Sequence, residues 1–306
     1  MLPSLLAVGA SVALSLYPPT KTWAVGVALL LGALVGNVAP ASVPPWLGKA
    51  RKLTLNSAVV LFGFGRNIRQ VIAGGGQGCG QTAVSLAGIL SLGFFLMRFV
   101  RLRPATMKLI TVGTSICGGS AIAAVSSAMK ADDEDIGVSM GVVFLLNTVA
   151  LFAFPVLARA FALTPEQYGV WCALSIHDTS SVVGAAAVLG DASLSTATIM
   201  KLTRTLWITP IVFVVSLRRG GGGKLSVPLF IVLFLLASMT ASALPFPALF
   251  RFLASAGKVF MAAALCLVGL GLHRSVVNRA GVRGMLFGAA LWAVSIVTGY
   301  VLATIG

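Results

Sequence analysis

Three short stretches carry most of the chemistry in an otherwise apolar chain. The first is Gly113-Thr114-Ser115-Ile116-Cys117-Gly118-Gly119-Ser120-Ala121. Glycine disfavours helix interiors, and two in succession invite an unwound break. Backbone groups freed inside lipid must find partners, so such a break is tolerated only where it is buried in protein or lines a cavity. A half-helix restarting near Gly119-Ser120 would offer unpaired N–H groups and the positive end of its dipole, which suits an anion. The hydroxyls of Ser115 and Ser120 can add hydrogen bonds. The competing reading is a face of small residues that packs against another helix.

The second stretch is Ser175-Ile176-His177-Asp178-Thr179-Ser180-Ser181. His177 and Asp178 fall in the middle of an apolar run, where ionisable groups are costly and usually functional. Histidine titrates near physiological pH and can couple protons to transport. Asp178 is its candidate partner, a second proton site or a cation ligand. The plainer reading is a satisfied polar pair that pins helix packing. The third stretch, Thr198 to Arg204, sets Lys201 and Arg204 three residues apart on one helical face. They supply positive charge for an anionic substrate, unless they snorkel to the outer surface. The candidate substrate-binding set is therefore Ser115, Cys117, Gly118, Gly119, Ser120, Ser175, His177, Thr179, Lys201 and Arg204, with His177 and Asp178 as candidate ion-coupling residues.

Enzyme templates are missing: there is no HExxH, no GxSxG elbow and no P-loop Gly-Lys-Ser. An intramembrane hydrolase using Ser120 and His177 is conceivable, but nothing in the sequence fixes its geometry. Cys79, Cys117, Cys172 and Cys266 have no CxxC spacing and read as buried and inert. No catalytic residue, metal or cofactor is expected.

The elements that must position these residues follow from composition. Of 306 residues, 58% are hydrophobic and 9% charged, against about 25% charged in a soluble domain. Such a chain cannot cover a water-exposed surface and leaves no room for a separate soluble domain. The net charge of +15 does not indicate nucleic-acid binding, because the basic residues sit in short loops between apolar runs, as membrane topology requires. Eleven candidate spans, each near the roughly 20 residues that cross a bilayer, lie at 2–16, 22–38, 53–73, 81–98, 105–128, 136–158, 167–189, 197–217, 226–243, 253–272 and 284–304. The first lacks the basic n-region and cleavage site of a signal peptide and reads as a short membrane helix. Prolines 18, 19, 40, 44 and 45 break helices, and Gly74 to Gly76 and Gly220 to Gly223 read as flexible turns.

Alternating the spans puts Lys49, Arg51, Lys52, Arg98, Arg101, Arg103, Lys108, Arg159, Arg218, Arg219, Lys224, Arg274, Arg279 and Arg283 on the side of the N-terminus. Lys21, Arg66, Arg69, Lys130, Arg251 and the acidic stretch Asp132 to Asp135 fall on the other. Positive charge stays in the cytoplasm, so the N-terminus is expected inside and the C-terminus outside the bacterial inner membrane. Residues 55–75 and 261–281 resemble one another and run in opposite directions, the pattern of an inverted repeat. SICGGSAIAA and SIHDTSSVVGAA also resemble one another, yet two spans apart they would point the same way. Either the helix count between them is wrong, or two polar breaks arose separately at one site.

At SICGGSAIAA, SIHDTSSVV and KLTRTLW the chain resembles the YeiH-like family of bacterial inner-membrane proteins, described as sulfate exporters, and the resemblance covers nearly its whole length. The family more usually has Asn at the position of Gly119 and Ala-Gln at Ser180-Ser181, departures that bear on substrate choice. The resemblance implies a relation to bile-acid symporters and cation-proton antiporters: an all-α polytopic fold with inverted five-helix repeats, a panel domain, and a core domain of crossing discontinuous helices. The N-terminal helix 1–17 would be an extra element, and the repeats would lie at 22–161 and 166–304. Gly118-Gly119 would mark one crossing helix, and Gly269-x-Gly271 is a candidate for the other. The expected function is secondary transport of a small anionic solute of the sulfate or organic sulfonate class, most simply export, by alternating access with proton or ion coupling. A sodium-coupled organic-acid carrier and a membrane enzyme or sensor on the same fold are the alternatives. Small-residue faces such as Gly32-x-x-x-Gly36 permit a homodimer, or equally helix packing within one chain.

Overall fold

The computed structural model describes residues 2–16, 24–38, 46–217, 229–270 and 281–305. Among them there are no strands and fourteen helices. These are α1 (Leu2–Leu16), α2 (Ala24–Val38), α3 (Leu47–Gly63), α4 (Ile68–Leu96), α5 (Pro104–Ser115), α6 (Gly119–Met129) and α7 (Asp133–Ala160). There follow α8 (Pro165–Ser175), α9 (Thr179–Ala187), α10 (Asp191–Leu206), α11 (Ile208–Leu217), α12 (Leu229–Ala243), α13 (Pro247–Leu270) and α14 (Val282–Ile305). Five stretches are long and apolar enough to cross a membrane: Val71–Leu96, Glu134–Ala160, Asp191–Val215, Pro247–Ala264 and Val282–Ile305. The chain forms two compact units, Met1–Ala73 with Pro228–Arg274, and Gly74–Val227 with Ser275–Gly306.

In the first unit α13 packs against α1, α2 and α3, and α12 lies against α3. The close approach of α2 to α13 depends on two glycines. A Cβ on Gly32 would collide with the Cys266 carbonyl, and one on Gly36 would lie 2.6 Å from the Leu270 carbonyl oxygen. The Gly32-x-x-x-Gly36 face is thus filled by this chain's own α13, and it is not open for a homodimer. The expected span 53–73 is divided differently: α3 ends at Gly63, a turn covers residues 64–67, and α4 begins at Ile68. Of the 55–75 and 261–281 match, residues 271–280 lie outside the described residues, as do Gly220 to Gly223, Gly271 and the five helix-breaking prolines.

In the second unit the Gly74-Gly75-Gly76 turn is not found; these residues are helical, within α4. Gly74 and Gly75, with Gly78 a turn further on, face α10. A Cβ at Gly74 would sit 3.3 Å from Ile199, one at Gly75 3.7 Å from Thr203, and one at Gly78 would collide with the Met200 sulfur. The glycines therefore admit α10 against α4, and tertiary packing overrides their low helix propensity.

The largest correction concerns residues 105–128 and 167–189, expected as membrane-crossing spans. Each folds back on itself as a helical hairpin. In hairpin 1, α5 and α6 are 12 and 11 residues long, about 18 and 16 Å, which is short of the roughly 30 Å hydrocarbon core. Its two ends meet: Arg103, before α5, pairs with Asp132 at 2.5 Å, Glu134 at 2.7 Å and Asp135 at 3.2 Å, all beyond α6. Near the turn, a Cβ on Gly113 would lie 2.9 Å from Ile122. In hairpin 2, α8 and α9 have 11 and 9 residues, and Tyr168 in the first turn of α8 donates to the Ala185 carbonyl in the last turn of α9 at 3.1 Å. Arg98 to Lys108 and Asp132 to Asp135 consequently lie at one end of the unit rather than on opposite sides. The Asp132 side chain raises the pKa of Arg103 by hydrogen bonding, with Asp135 adding to it. Asp135 is buried and also accepts from Thr106 Oγ1 at 2.5 Å.

Candidate functional site

The two hairpins enter from opposite ends of α7. That helix has 28 residues, about 42 Å. Hairpin 1 closes at its N-terminus and hairpin 2 starts just beyond its C-terminus, and the two turns meet at its middle. There the buried Asn147 of α7 accepts the backbone N–H groups of His177 and Asp178, both at 3.1 Å. A Cβ on Gly118 would lie 3.3 Å from the His177 Cβ and 3.4 Å from the Asp178 nitrogen. Gly118 has φ 64°, a backbone conformation at which a side chain is strained. The likeness of SICGGSAIAA to SIHDTSSVVGAA is thereby explained: the two motifs are the turns of hairpins that point at each other.

Both hairpins leave helix C-termini in the interior, and each such terminus has carbonyls without an intrahelical partner. Every one is satisfied. At the end of α5, the carbonyls of Val112 and Gly113 accept from the amides of Ile116 and Gly118 at 3.1 and 2.8 Å. Those of Thr114 and Ser115 accept from Arg204 at 3.0 and 2.8 Å, and that of Ile116 from Lys201 Nζ at 3.2 Å. At the end of α8, Cys172 O accepts from the Ile176 amide at 2.9 Å. Ala173 O accepts from Lys201 and Arg204 at 3.3 and 3.2 Å. Leu174 O accepts from Arg204 Nη1 and from Ser295 Oγ, the latter at 2.9 Å. Ser175 O accepts from Trp292 Nε1 at 3.0 Å and Ile176 O from Lys201 at 2.7 Å. Lys201 and Arg204 are 0% and 1% exposed. Their spacing on α10 places one cation after the other along the seam where both half-helices end, and a cation there also opposes the negative ends of the dipoles.

The N-termini differ. Asp178 is the N-cap of α9: its carboxylate accepts from Ser180 N at 3.1 Å and from Ser180 Oγ. The N-cap of α6 is Gly118, which has no side chain to offer and makes no side-chain cap bond. Among the described residues, the amides of Gly119 and Ser120 donate to no protein acceptor. Ser120 is exposed and Gly119, Asp178 and Thr179 are half-buried, so the accessible part of the seam carries amides, hydroxyls and one carboxylate. Met140 and Phe144 of α7 flank Gly119 at 3.3 and 3.5 Å from a built Cβ.

All ten candidate substrate-binding residues, and Asp178, converge on this seam, but they are not equally free. Ser115 Oγ turns back to Val112 O at 3.1 Å, and Ser175 Oγ is tied to Ser295 O on α14 at 2.9 Å. Cys117 is buried in the turn. Lys201 and Arg204 do not snorkel; they are engaged with carbonyls. His177 is 1% exposed, with neither ring nitrogen hydrogen-bonded, and its ring lies 6.4 Å from that of Trp292. It does not pair with Asp178, whose carboxylate bonds Ser180. Sequence reasoning missed Asn147, Trp292 and Ser295. Asn147 carried a signal, as a lone amide inside the apolar run 136–158. Among the described residues no group of His, Cys, Asp and Glu could hold a metal.

Long apolar helices and buried, carbonyl-bound cations define a membrane protein. Its family is now identified: residues 2–288 match the family model described as "Conserved hypothetical protein 698", and the chain belongs to that family, which is YeiH-like. A UPF0324 membrane protein of Vibrio vulnificus is 39% identical over 276 residues, covering 87% of this chain and 88% of the relative. Another, of Bacteroides thetaiotaomicron, is 38% identical over 272 residues, covering 88% and 82%. A third, of Geobacter sulfurreducens, is 37% identical over 266 residues, covering 87% and 86%. No solved structure matches the chain.

Proposed function

We propose that this protein is a secondary transporter of a small anion, working by alternating access, with the meeting point of the hairpin turns as its binding site. One observation carries the reading. At the seam every carbonyl freed by the ends of α5 and α8 is already taken, whereas the N-terminus of α6 is uncapped and reaches accessible space beside the Ser120 hydroxyl. A site with donors left over and acceptors filled takes a ligand rich in acceptors, and half-helix N-termini near the bilayer midplane hold anionic groups in transporters. Gly119 and Ser120 hold the anion, Thr179 faces it, and His177 and Asp178 serve coupling. Lys201 and Arg204 position the half-helices and supply a positive field rather than touching the solute. The family resemblance points to sulfate or an organic sulfonate, with export as the direction.

Sodium coupling is disfavoured by the same bonds. Such sites draw on unwound backbone carbonyls and half-helix C-termini, and here those at the ends of α5 and α8 are bound to Lys201, Arg204, Trp292 and Ser295. The fold in turn agrees with discontinuous elements placed as an inverted pair in one inner-membrane protein. Folding back the two hairpins moves Lys130 to the N-terminal side and Arg159 to the other. The basic residues still divide fourteen to five, which supports a cytoplasmic N-terminus and an outward C-terminus.

The test is counterflow in proteoliposomes. Preloading with sulfate, sulfite, thiosulfate, taurine or a dicarboxylate should drive uptake of a labelled anion, and Ser120→Leu should abolish that uptake while inserting normally. Normal counterflow by inserted Ser120→Leu would refute the site; no counterflow with any preload would refute the anion reading.

A further inference from the structure

The charges at the seam select among anions. Lys201 Nζ bonds three carbonyls. These three acceptors, with no donor among them, match the three N–H groups of an ammonium one for one, and the geometry points to a charged Lys201. Arg204 is always charged. Among the described residues Asp178 is the one carboxylate at the hairpin turns. The half-helix termini contribute two negative and two positive ends of equal size, which cancel. Among the described residues the seam thus holds one positive charge in excess, although buried charges are paired in stable structures. Beside it stand the uncapped amides of α6 and His177, whose Cβ lies against the α6 N-cap Gly118 and whose ring nitrogens are without a hydrogen bond.

Resting on the anion-transport reading, we infer that the site takes one negative charge per binding event. Its ligand class is a small oxyanion of single charge, such as an organic sulfonate, and a dianion such as sulfate enters only with a proton on His177. The proton adds to a free ring nitrogen, giving an imidazolium that matches the second negative charge, and leaves when the dianion leaves. The titratable and charged groups facing His177 are Asp178 next to it, Cys117 in hairpin 1, and Lys201 and Arg204 on α10; Asn147 of α7 and Trp292 of α14 complete its surroundings and do not titrate. Of these, His177 is the group with ring nitrogens free to take a proton, once a bound dianion brings the compensating charge.

The experiment measures equilibrium binding of radiolabelled methanesulfonate and sulfate to the full chain in nanodiscs at about pH 8 and about pH 5.5, with proton uptake followed by a dye in weak buffer. At the higher pH methanesulfonate should bind about a hundredfold more tightly than sulfate, the scale of leaving one charge buried and unmatched. Acid should restore most of the sulfate affinity, with about one proton taken up per sulfate and none per methanesulfonate. Asp178→Asn, which keeps an N-cap side chain and raises the seam's charge by one, should let sulfate bind at the higher pH without proton uptake. His177→Gln should lose the acid gain for sulfate. Sulfate binding as tightly as methanesulfonate at the higher pH, sulfate binding without proton uptake in the unsubstituted protein, or an acid gain that survives His177→Gln would each overturn the inference. Binding of neither anion at either pH would overturn the anion reading itself and this inference with it.

Discussion

Arg204→Lys separates the shape of the guanidinium from its charge. Arg204 reaches four carbonyls with three nitrogens: Nε to Ser115, Nη2 to Thr114, and Nη1 to Ala173 and Leu174. It thereby ties the end of α5 to the end of α8. A lysine ammonium is a point donor on a flexible stem and can serve one of the two ends. Two carbonyls are then left without that partner, at about 1–3 kcal/mol for each group left unsatisfied. Lys201 still serves Ala173 and Ser295 Oγ still serves Leu174, so the two groups left unsatisfied are Thr114 and Ser115, and about 3 kcal/mol is the expected loss. At roughly 2–4 °C per kcal/mol for a large domain, the apparent unfolding midpoint should fall by about 6–12 °C. Tryptophan fluorescence of the solubilised protein during a thermal ramp reads this directly, since Trp171 and Trp292 sit around hairpin 2. Transport should fall as well, although the charge is retained. A midpoint within about 2 °C of the unsubstituted protein, with transport intact, would show that charge alone suffices at position 204 and would refute the clamp.

Gly118→Ala puts a side chain on a left-handed residue, at about 1–2 kcal/mol, and 3.1 Å from Val143; counterflow should drop several-fold while expression persists. Asn147→Leu strips the acceptor from two buried N–H groups, at about 2–4 kcal/mol, and should lower the thermal midpoint as much as Arg204→Lys does. At the mouth of hairpin 1, Glu134→Ala removes an ion pair exposed to solvent, which contributes little, and should leave the midpoint nearly unchanged. Asp135→Ala removes a buried carboxylate that holds both Thr106 and Arg103 and should cost more, about 3 kcal/mol, measured by the same thermal ramp.

The apolar spans were legible because lipid demands continuous hydrophobic runs: Glu134–Ala160 and Val282–Ile305 stand near where hydropathy put them. The polar motifs at 113–121 and 175–181 were legible as interruptions, and so was the pairing of Lys201 with Arg204 on one face. The reversal of direction was not. A span broken by Gly118-Gly119 and a hairpin turned at Gly118-Gly119 have the same composition, and the Arg103 ion pairs and the approach of Gly113 to Ile122 tell them apart, as the Tyr168–Ala185 bond does for hairpin 2. The partners of Lys201 and Arg204 were hidden for another reason: backbone carbonyls carry no side-chain signature. Gly74 and Gly75 misled because a glycine that loosens a chain and one that admits a neighbouring helix look identical until Ile199 and Thr203 are in place.

The most direct test of the central claim is cysteine accessibility at the α6 N-terminus. Ser120→Cys, in a chain whose exposed Cys79 is replaced by serine, should react with a water-soluble thiosulfonate reagent, because residue 120 is accessible while Cys117 and Cys172 are buried. A transported anion should slow that reaction in proportion to its occupancy. Reaction that no anion slows, or an introduced thiol at position 120 that never reacts in folded protein, would contradict an anion site at the hairpin turns.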